Sequence, residues 1–201
     1  MQKNRSEVKI KLFGNLKTLV ISALFVAISI VCGKYLAIPA GDFMRFSFEN
    51  LPILLAGIAY GPIIGMLVGV AADLIGCLWV GYDINILITL GAAVIGLCGG
   101  LMFRVFKKAS LLPRALISVI VTHTLGSVIV KSIAFSWSAV FKIYGTDIFS
   151  HSDWIAPFFS SFIVYVAWRT LNYLVVAALE SVLIYILLKN KAVRKQLSIR
   201  I

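Results

Sequence analysis

The sequence predicts an all-α integral membrane protein, a bundle of six transmembrane helices with both termini in the cytoplasm. Of the 201 residues, 61% are hydrophobic and only 13% are charged, whereas soluble domains carry roughly a quarter charged residues. Basic residues cluster in the N-terminal tail, around a central loop and in the C-terminal tail, which is typical of cytoplasmic segments. We therefore expect a multi-pass protein of the cell membrane, in contact with the lipid bilayer.

The six predicted segments form a single membrane domain over residues 1–201. The first follows a long basic lead and nearly fills a membrane span, which favours a helix over a cleaved signal peptide. The second is too short for an ordinary span, so it is either tilted into the bundle or partly re-entrant. A break at Gly61-Pro62 separates it from the third, and the last two exceed the bilayer thickness, so we expect them to tilt or extend outward. The segments are about 18–38, 48–60, 62–80, 84–106, 113–144 and 158–188.

Composition and motifs exclude several function classes. The net charge of +11 sits in the segments predicted to be cytoplasmic, so we expect no nucleic-acid partner. The sequence contains no Walker-type Gly-Lys-Ser/Thr loop, so another chain would hydrolyse any ATP used. The cysteines lack Cys-x-x-Cys spacing and lie in apolar runs, so we predict no metal site and no cofactor. Hydrolase motifs are also absent, which disfavours an intramembrane enzyme using Asp73, His123 and Glu180.

Four charged residues interrupt the apolar segments: Asp73, Lys131, Arg169 and Glu180. Each would cost about 2.5–3.5 kcal/mol at a lipid-facing helix centre. They must therefore face inward, pair with each other, or line a wet cavity. Helical spacing supports an inward face, since Arg169 and Glu180 share one stripe with Asn172. Two interpretations remain open, a ligand site or a structural network in which Lys131 or Arg169 neutralises Asp73, while His123 is expected to be a polar packing residue.

The stretch from Met44 to Pro62 places Arg45, Glu49 and Asn50 directly ahead of an apolar run. An acid at a helix start interacts favourably with the helix macrodipole, so a capping role for Glu49 is at least as well supported as a role in a ligand site. Asn50 either faces a cavity or satisfies the helix start. Aromatic residues at this end, with a carboxylate and several cations deeper in the bundle, suit a flat, polar, anionic ligand that enters from outside.

Small residues four apart allow helix backbones to approach closely. They occur at Ala23 and Ala27 in the first segment and in a glycine series in the second and third. For the glycines we favour packing within the chain; they are Gly57, Gly61, Gly65 and Gly69.

Two stretches carry a specific family resemblance: FSFENLPILLAGIAYGPIIGMLVGVAADLIG from Phe46 to Gly76, and RTLNYLVVAALESVLIYILL from Arg169 to Leu188. With Ala23 and Ala27, they make the chain resemble the S components of energy-coupling factor (ECF) vitamin transporters, in particular the folate-specific ones. The resemblance covers nearly the whole chain. It implies that the protein binds folates from outside, lacks ATPase activity, and assembles with a transmembrane coupling subunit and two ATP-binding subunits. It further implies that Ala23 and Ala27 contact the coupling subunit and that the protein topples in the membrane to release its ligand.

If the ligand is a folate, we hypothesise the following placement. The pterin ring would sit deepest, with Asp73, or alternatively Glu180, accepting from its adjacent N–H groups. The glutamate tail would reach Arg45, beside Phe46 at the rim, and Lys34. The other expected substrate-binding residues are the polar Asn50, Lys131, Arg169 and Asn172 and the stacking Trp79 and Phe135.

Two alternatives remain at the level of sequence. One is an S component for another vitamin, of the thiamin, riboflavin or queuosine type. The other is a self-sufficient secondary transporter, which would show an internal repeat with matched broken helices. The sequence has only the break at Gly61-Pro62.

Overall fold

The computed structural model describes residues 16–39 and 45–197, with the backbone alone described at Arg45. Two-residue strands β1 (Ile38–Pro39) and β2 (Arg45–Phe46) pair in an antiparallel manner. A π-helical segment, His123–Val130, joins the fifth and sixth helices, and a 3-10 turn, Gly145–Ser150, follows the sixth. The helices are α1 (Leu16–Lys34), α2 (Asn50–Tyr60), α3 (Pro62–Val80), α4 (Ile86–Val105), α5 (Leu111–Thr122), α6 (Lys131–Tyr144), α7 (Ile155–Lys189) and α8 (Lys191–Gln196).

Within the described residues, five helical stretches are long and apolar enough to cross a membrane: α1, α3, α4, the continuous Leu111–Ser150, and α7. At 1.5 Å per residue, α7 measures about 52 Å, well beyond the ~30 Å hydrocarbon core. The shorter α2 has 11 residues, about 17 Å. Its Leu54 and Ala56 are fully buried, so α2 lies inside the bundle.

Glycines hold α2, α3 and α4 in close contact. A Cβ added at Gly65 of α3 would lie 2.5 Å from the carbonyl oxygen of Gly96 in α4, and a Cβ at Gly96 would overlap the Gly65 backbone. Gly57 of α2 meets the same stretch of α4, at Gly96 and Gly100. Any larger residue would force these backbones apart. The interpretation of the glycine series as packing within the chain is confirmed at these positions.

Arg104 and Arg114, which flank the connection between α4 and α5, lie at one end of the bundle. Arg104, at the end of α4, lies beside Gly61 at the turn between α2 and α3. Arg114, in the first turns of α5, is buried, donates from Nε to the Phe103 carbonyl oxygen at 2.6 Å and lies over the Phe103 ring. Because consecutive helices alternate in direction, the C-terminal ends of α1 and α3 lie at the opposite end, together with the β1–β2 pair.

Candidate functional site

A cavity of about 570 Å³ opens at the end of the bundle opposite Arg104 and Arg114. Its volume falls in the range of roughly 300–1,000 Å³ typical of small-molecule sites. The wall is contributed by the C-terminal turns of α1 and α3, the start of α2, the first turns of α4 and α6, the middle of α7 and the loop between α3 and α4. The charged side chains on it are Lys34, Glu49, Asp73, Asp83, Lys131 and Arg169.

Lys131 and Glu49 form an ion pair across this cavity wall. Lys131 Nζ donates to Glu49 Oε1 at 3.2 Å, and the two side chains are 8% and 20% exposed. Gly91 of α4 leaves room for the lysine chain, since a Cβ there would lie 2.8 Å from Lys131 Cγ. Glu49 is the N-cap residue of α2, as predicted, but its side chain makes no capping hydrogen bond. The carboxylate instead neutralises a buried ammonium, which would otherwise be costly to desolvate.

Asp73 has a different partner. Its carboxylate oxygen Oδ2 accepts a hydrogen bond of 2.7 Å from the hydroxyl of Thr89, in the first turn of α4. Among the described residues Asp73 makes no ion pair. Neither Lys131 nor Arg169 forms an ion pair with Asp73 in the described part of the chain, so the interpretation in which one of them neutralises Asp73 directly is wrong; Lys131 pairs with Glu49 instead. Asp73 is half-buried on the cavity wall and keeps acceptor capacity for a ligand.

Arg169 is held by α6 and the π-helical segment. Its guanidinium carbon lies 4.7 Å from the centroid of the Phe135 ring, and its Nη1 donates to the Ser127 carbonyl oxygen at 3.2 Å. Phe135 in turn contacts Tyr165 of α7, with ring centroids 5.6 Å apart. A guanidinium has five N–H donors, so one bond to the backbone fixes its plane and leaves donors for a carboxylate or carbonyl group.

Two asparagines and a tyrosine complete the polar part of the wall. Asn50 is 1% exposed and donates from Nδ2 to Ser127 Oγ at 3.4 Å. Asn172 is also buried, and Tyr173 follows it on α7. The Tyr173 ring stacks on the imidazole of His123 at 4.7 Å. These contacts tie α2, α7 and the π-helical segment together behind the cavity.

Comparison with known proteins identifies the family. Residues 17–188 match the family described as ECF transporter, substrate-specific component. The chain belongs to this family. Such S components are substrate-binding transport subunits and not themselves enzymes, and this one is a multi-pass protein of the cell membrane.

A solved structure has the same fold as this S component. It is described as "Crystal structure of FolT bound with folic acid" and matches with a TM-score of 0.55 and 20% sequence identity. The match covers 85% of this chain and 98% of that one. A comparison with curated proteins finds no match.

Six of the nine substrate-binding residues predicted for this S component lie on the cavity wall. They come from α2, α3, α6 and α7, which are far apart in sequence, and Lys34, expected at the ligand tail, joins them. The six are Asn50, Asp73, Lys131, Phe135, Arg169 and Asn172.

The other three lie elsewhere or outside the described part. Trp79 is 72% exposed and donates from its indole N–H to the Tyr35 hydroxyl at 2.7 Å, away from the cavity. It follows Asp73 by six residues, which turns it about 240° around the helix axis. Phe46 is half-buried but is not part of the wall, and the Arg45 side chain lies outside the described residues.

Sequence reasoning missed several wall residues. Tyr173 stands four residues after Arg169, so its helical spacing already pointed inward. Tyr82 and Asp83 belong to a short loop with no periodic signal, and the Lys34 ammonium lies 4.9 Å from the Tyr82 ring centroid. Glu180, the alternative to Asp73, lies behind the wall: it is fully buried and its Oε2 is 2.6 Å from His123 Nε2.

Ala23 and Ala27, the residues expected to contact a partner, lie on the exposed face of α1. The opposite face of α1 is buried against α2 and α3. The two alanines are therefore accessible to another helix within the membrane.

Proposed function

We propose that this S component binds folate in an outward-facing cavity and delivers it inward together with a transmembrane coupling subunit and two ATP-binding subunits. The proposal rests on one observation: the same cavity presents both a carboxylate and a guanidinium to a ligand. Asp73 offers a carboxylate that is not held in an ion pair among the described residues, and Arg169 offers a guanidinium fixed on the Phe135 ring. Folate combines a flat ring edge rich in N–H donors with a tail of two carboxylates, so it needs both.

The pterin edge suits Asp73. Two adjacent N–H groups of the ring can donate to one carboxylate as a pair, which is a strong and directional arrangement. The Thr89 hydroxyl already orients this carboxylate from the other side. Asn172, Lys131 and Arg169 surround the ring with further polar contacts, and Phe135 offers an aromatic face to it.

The tail carboxylates suit the cations nearer the opening. Lys34 lies on the cavity wall at the end of α1. We assign the second contact to Arg45, four residues before Glu49 in the sequence. Trp79 has no place in this arrangement, since it lies outside the wall.

The distribution of basic residues indicates the side of the membrane to which the cavity opens. Basic residues favour the cytoplasmic side of a membrane protein, and Arg104 and Arg114 lie at the end of the bundle opposite the cavity. With both termini inside, the cavity opens outward. The exposed Ala23 and Ala27 then provide a surface inside the membrane on which the coupling subunit packs.

Folate is supported over other vitamins by two arguments. The cavity wall combines acceptors and donors as above, and the folic-acid-bound protein named FolT has the same fold. A riboflavin-type ligand lacks the tail carboxylates, and a thiamin-type ligand is a cation. Neither would use both Asp73 and the wall cations.

The test is direct binding to the purified chain. We expect mass spectrometry of small molecules that co-purify with it to detect a folate, and calorimetry to detect folic acid binding. Asp73→Asn should weaken that binding by about tenfold or more, because a hydrogen bond to a charged group is lost. Asp147→Asn, which changes an acid outside the cavity, should leave it unchanged.

Three results would contradict parts of the proposal. A different co-purifying vitamin, with no folic acid binding, would overturn the ligand while leaving the family intact. Unchanged affinity in Asp73→Asn would remove Asp73 from the ring contact. Folate uptake by this chain alone in proteoliposomes would replace the S component with a self-sufficient transporter.

A further inference from the structure

A continuous line of hydrogen bonds runs from the cavity wall into the interior of the bundle. Asn50 Nδ2 donates to Ser127 Oγ at 3.4 Å, Ser127 Oγ lies 3.1 Å from His123 Nδ1, and His123 Nε2 lies 2.6 Å from Glu180 Oε2. All four residues are at most 2% exposed. The π-helical segment makes this possible, because it carries both His123 and Ser127 and faces α2 on one side and α7 on the other.

The first donor in this line is the Asn50 amide, and one arrangement of hydrogens continues its direction as far as Glu180. An amide nitrogen only donates, so Ser127 Oγ accepts from Asn50. The serine hydroxyl hydrogen can then be donated to its other neighbour, His123 Nδ1, when that nitrogen carries no hydrogen. In this arrangement the imidazole carries its hydrogen on Nε2 and donates it to the Glu180 carboxylate. Each bond fixes the orientation of the next.

We propose that Glu180 and His123 are positioning residues that set the hydrogen-bonding preference of the cavity through Asn50. With its nitrogen committed to Ser127, Asn50 keeps its amide oxygen as an acceptor, and this oxygen is buried with no hydrogen-bond partner among the described residues. The cavity therefore selects a ligand that brings an N–H donor to this point over one that brings a carbonyl oxygen. This inference rests on the proposed function, in that it takes the cavity as the ligand site.

The same pair also holds an aromatic wall residue. The imidazole of His123 stacks on the Tyr173 ring, with an interplanar angle of 24°. Glu180 and Ser127 bind the two nitrogens of that imidazole, so its plane cannot rotate freely. Tyr173 thereby acquires a fixed support on the side away from the cavity.

Stability alone does not account for the pair. Glu180 Oε1 is buried without a partner among the described residues, which is unfavourable. Apolar side chains of similar volume often replace buried polar pairs without loss of stability. A role in orienting residues of the cavity wall would explain the presence of the buried Glu180 carboxylate.

The tautomer of His123 provides a test that a purely structural role would not affect. The protein has two histidines, so a His151→Gln background leaves one imidazole for ¹⁵N nuclear magnetic resonance. We expect the Nε2–H tautomer. Glu180→Leu removes the acceptor, so the hydrogen should move to Nδ1 and folic acid binding should weaken about tenfold. Glu180→Gln keeps an acceptor oxygen and should preserve both the tautomer and the affinity.

An Nδ1–H tautomer or an imidazolium in the wild-type background would overturn the proposal. So would an affinity loss in Glu180→Gln as large as that in Glu180→Leu, because the first variant retains the acceptor.

A second pair of variants guards against misfolding of Glu180→Leu. Ser127→Ala interrupts the line in the middle without adding volume and should weaken folic acid binding to a similar extent. Ser118→Ala is the matched control: Ser118 is fully buried in the same helical stretch, bonds only its own helix and lies away from the cavity. Equal affinities for the two serine variants would refute the proposal.

If folic acid fails to bind the wild type, the proposed function is wrong, but the tautomer measurement still decides the direction of the hydrogen bonds.

Discussion

The ion pair between Glu49 and Lys131 predicts that substitutions at the two positions are strongly non-additive. At 3.2 Å and an effective dielectric constant of about 20, the attraction is about 5 kcal/mol. Removing one partner of a buried pair typically costs about 3–5 kcal/mol, because the other charge stays buried and unpaired. Since the Glu49 side chain is 20% exposed, we expect the lower end, about 3 kcal/mol, for Glu49→Gln or Lys131→Met alone.

The assay is thermal unfolding in detergent, followed by the fluorescence of the four tryptophans. For a chain of this size, 1 kcal/mol shifts Tm by about 2–4 °C, so each single variant should lose about 6–12 °C. The double variant removes both charges and should lose little more than either single one. Every variant is compared with Asp147→Asn, which changes an acid that lines no part of the cavity.

The refuting result is simple additivity. If Glu49 acted only as a helix-start acid, its loss would cost about 0.3–1 kcal/mol whether or not Lys131 was present. A small shift in Glu49→Gln, repeated unchanged in the Lys131→Met background, would restore the capping interpretation and remove the ion pair.

Three further substitutions probe the cavity and the membrane-facing surface. Gly91→Ala should weaken folic acid binding in calorimetry and lower Tm, because its Cβ would lie 2.8 Å from Lys131 Cγ and press the lysine away from its partner; wild-type affinity would show that the lysine chain moves without consequence. Trp79→Phe should leave folic acid affinity unchanged, since the indole lies outside the wall; a clear loss would return Trp79 to the site. Ala23→Leu with Ala27→Leu should preserve folic acid binding but prevent co-purification with a coupling subunit, and intact assembly would contradict the assignment of that surface.

The helical membrane fold can be predicted from the sequence because few backbone conformations are stable inside a bilayer. Backbone groups in hydrocarbon must bond within their own segment, so a long apolar run becomes a helix. The break at Gly61 is equally local: its φ of +111° suits glycine, and Pro62 opens α3.

The π-helical segment has no such signal. Gly126, within this segment, lies close to Ile95 and to the Gly91 carbonyl oxygen of α4. Such contacts join different helices, and the periodicity of the sequence does not show which helices lie in contact. Nothing in the residues from His123 to Val130 distinguishes them from an ordinary α-helix.

For the cavity, sequence indicates which residues face inward but not which ones pair. A buried charge must avoid lipid, and this alone directs Asp73, Lys131 and Arg169 toward the interior. The partner of Lys131 is 82 residues away, and no spacing rule connects the two. Trp79 shows the opposite case: it stands seven residues after the wall residue Ala72, on the same face of α3, yet it lies outside the wall.

The charge balance of the cavity wall has a consequence for transport energetics. Three cations and three carboxylates line the described wall, so the empty site adds no net charge, and the charge that crosses the membrane is that of the ligand. With folate as the ligand, two negative charges enter a cell whose interior is negative, against about 4.6 kcal/mol for every 100 mV of membrane potential. Binding energy cannot supply this work over a complete cycle, because the site is empty again at the end. A folate importer built on this chain must therefore draw its driving force from outside the chain.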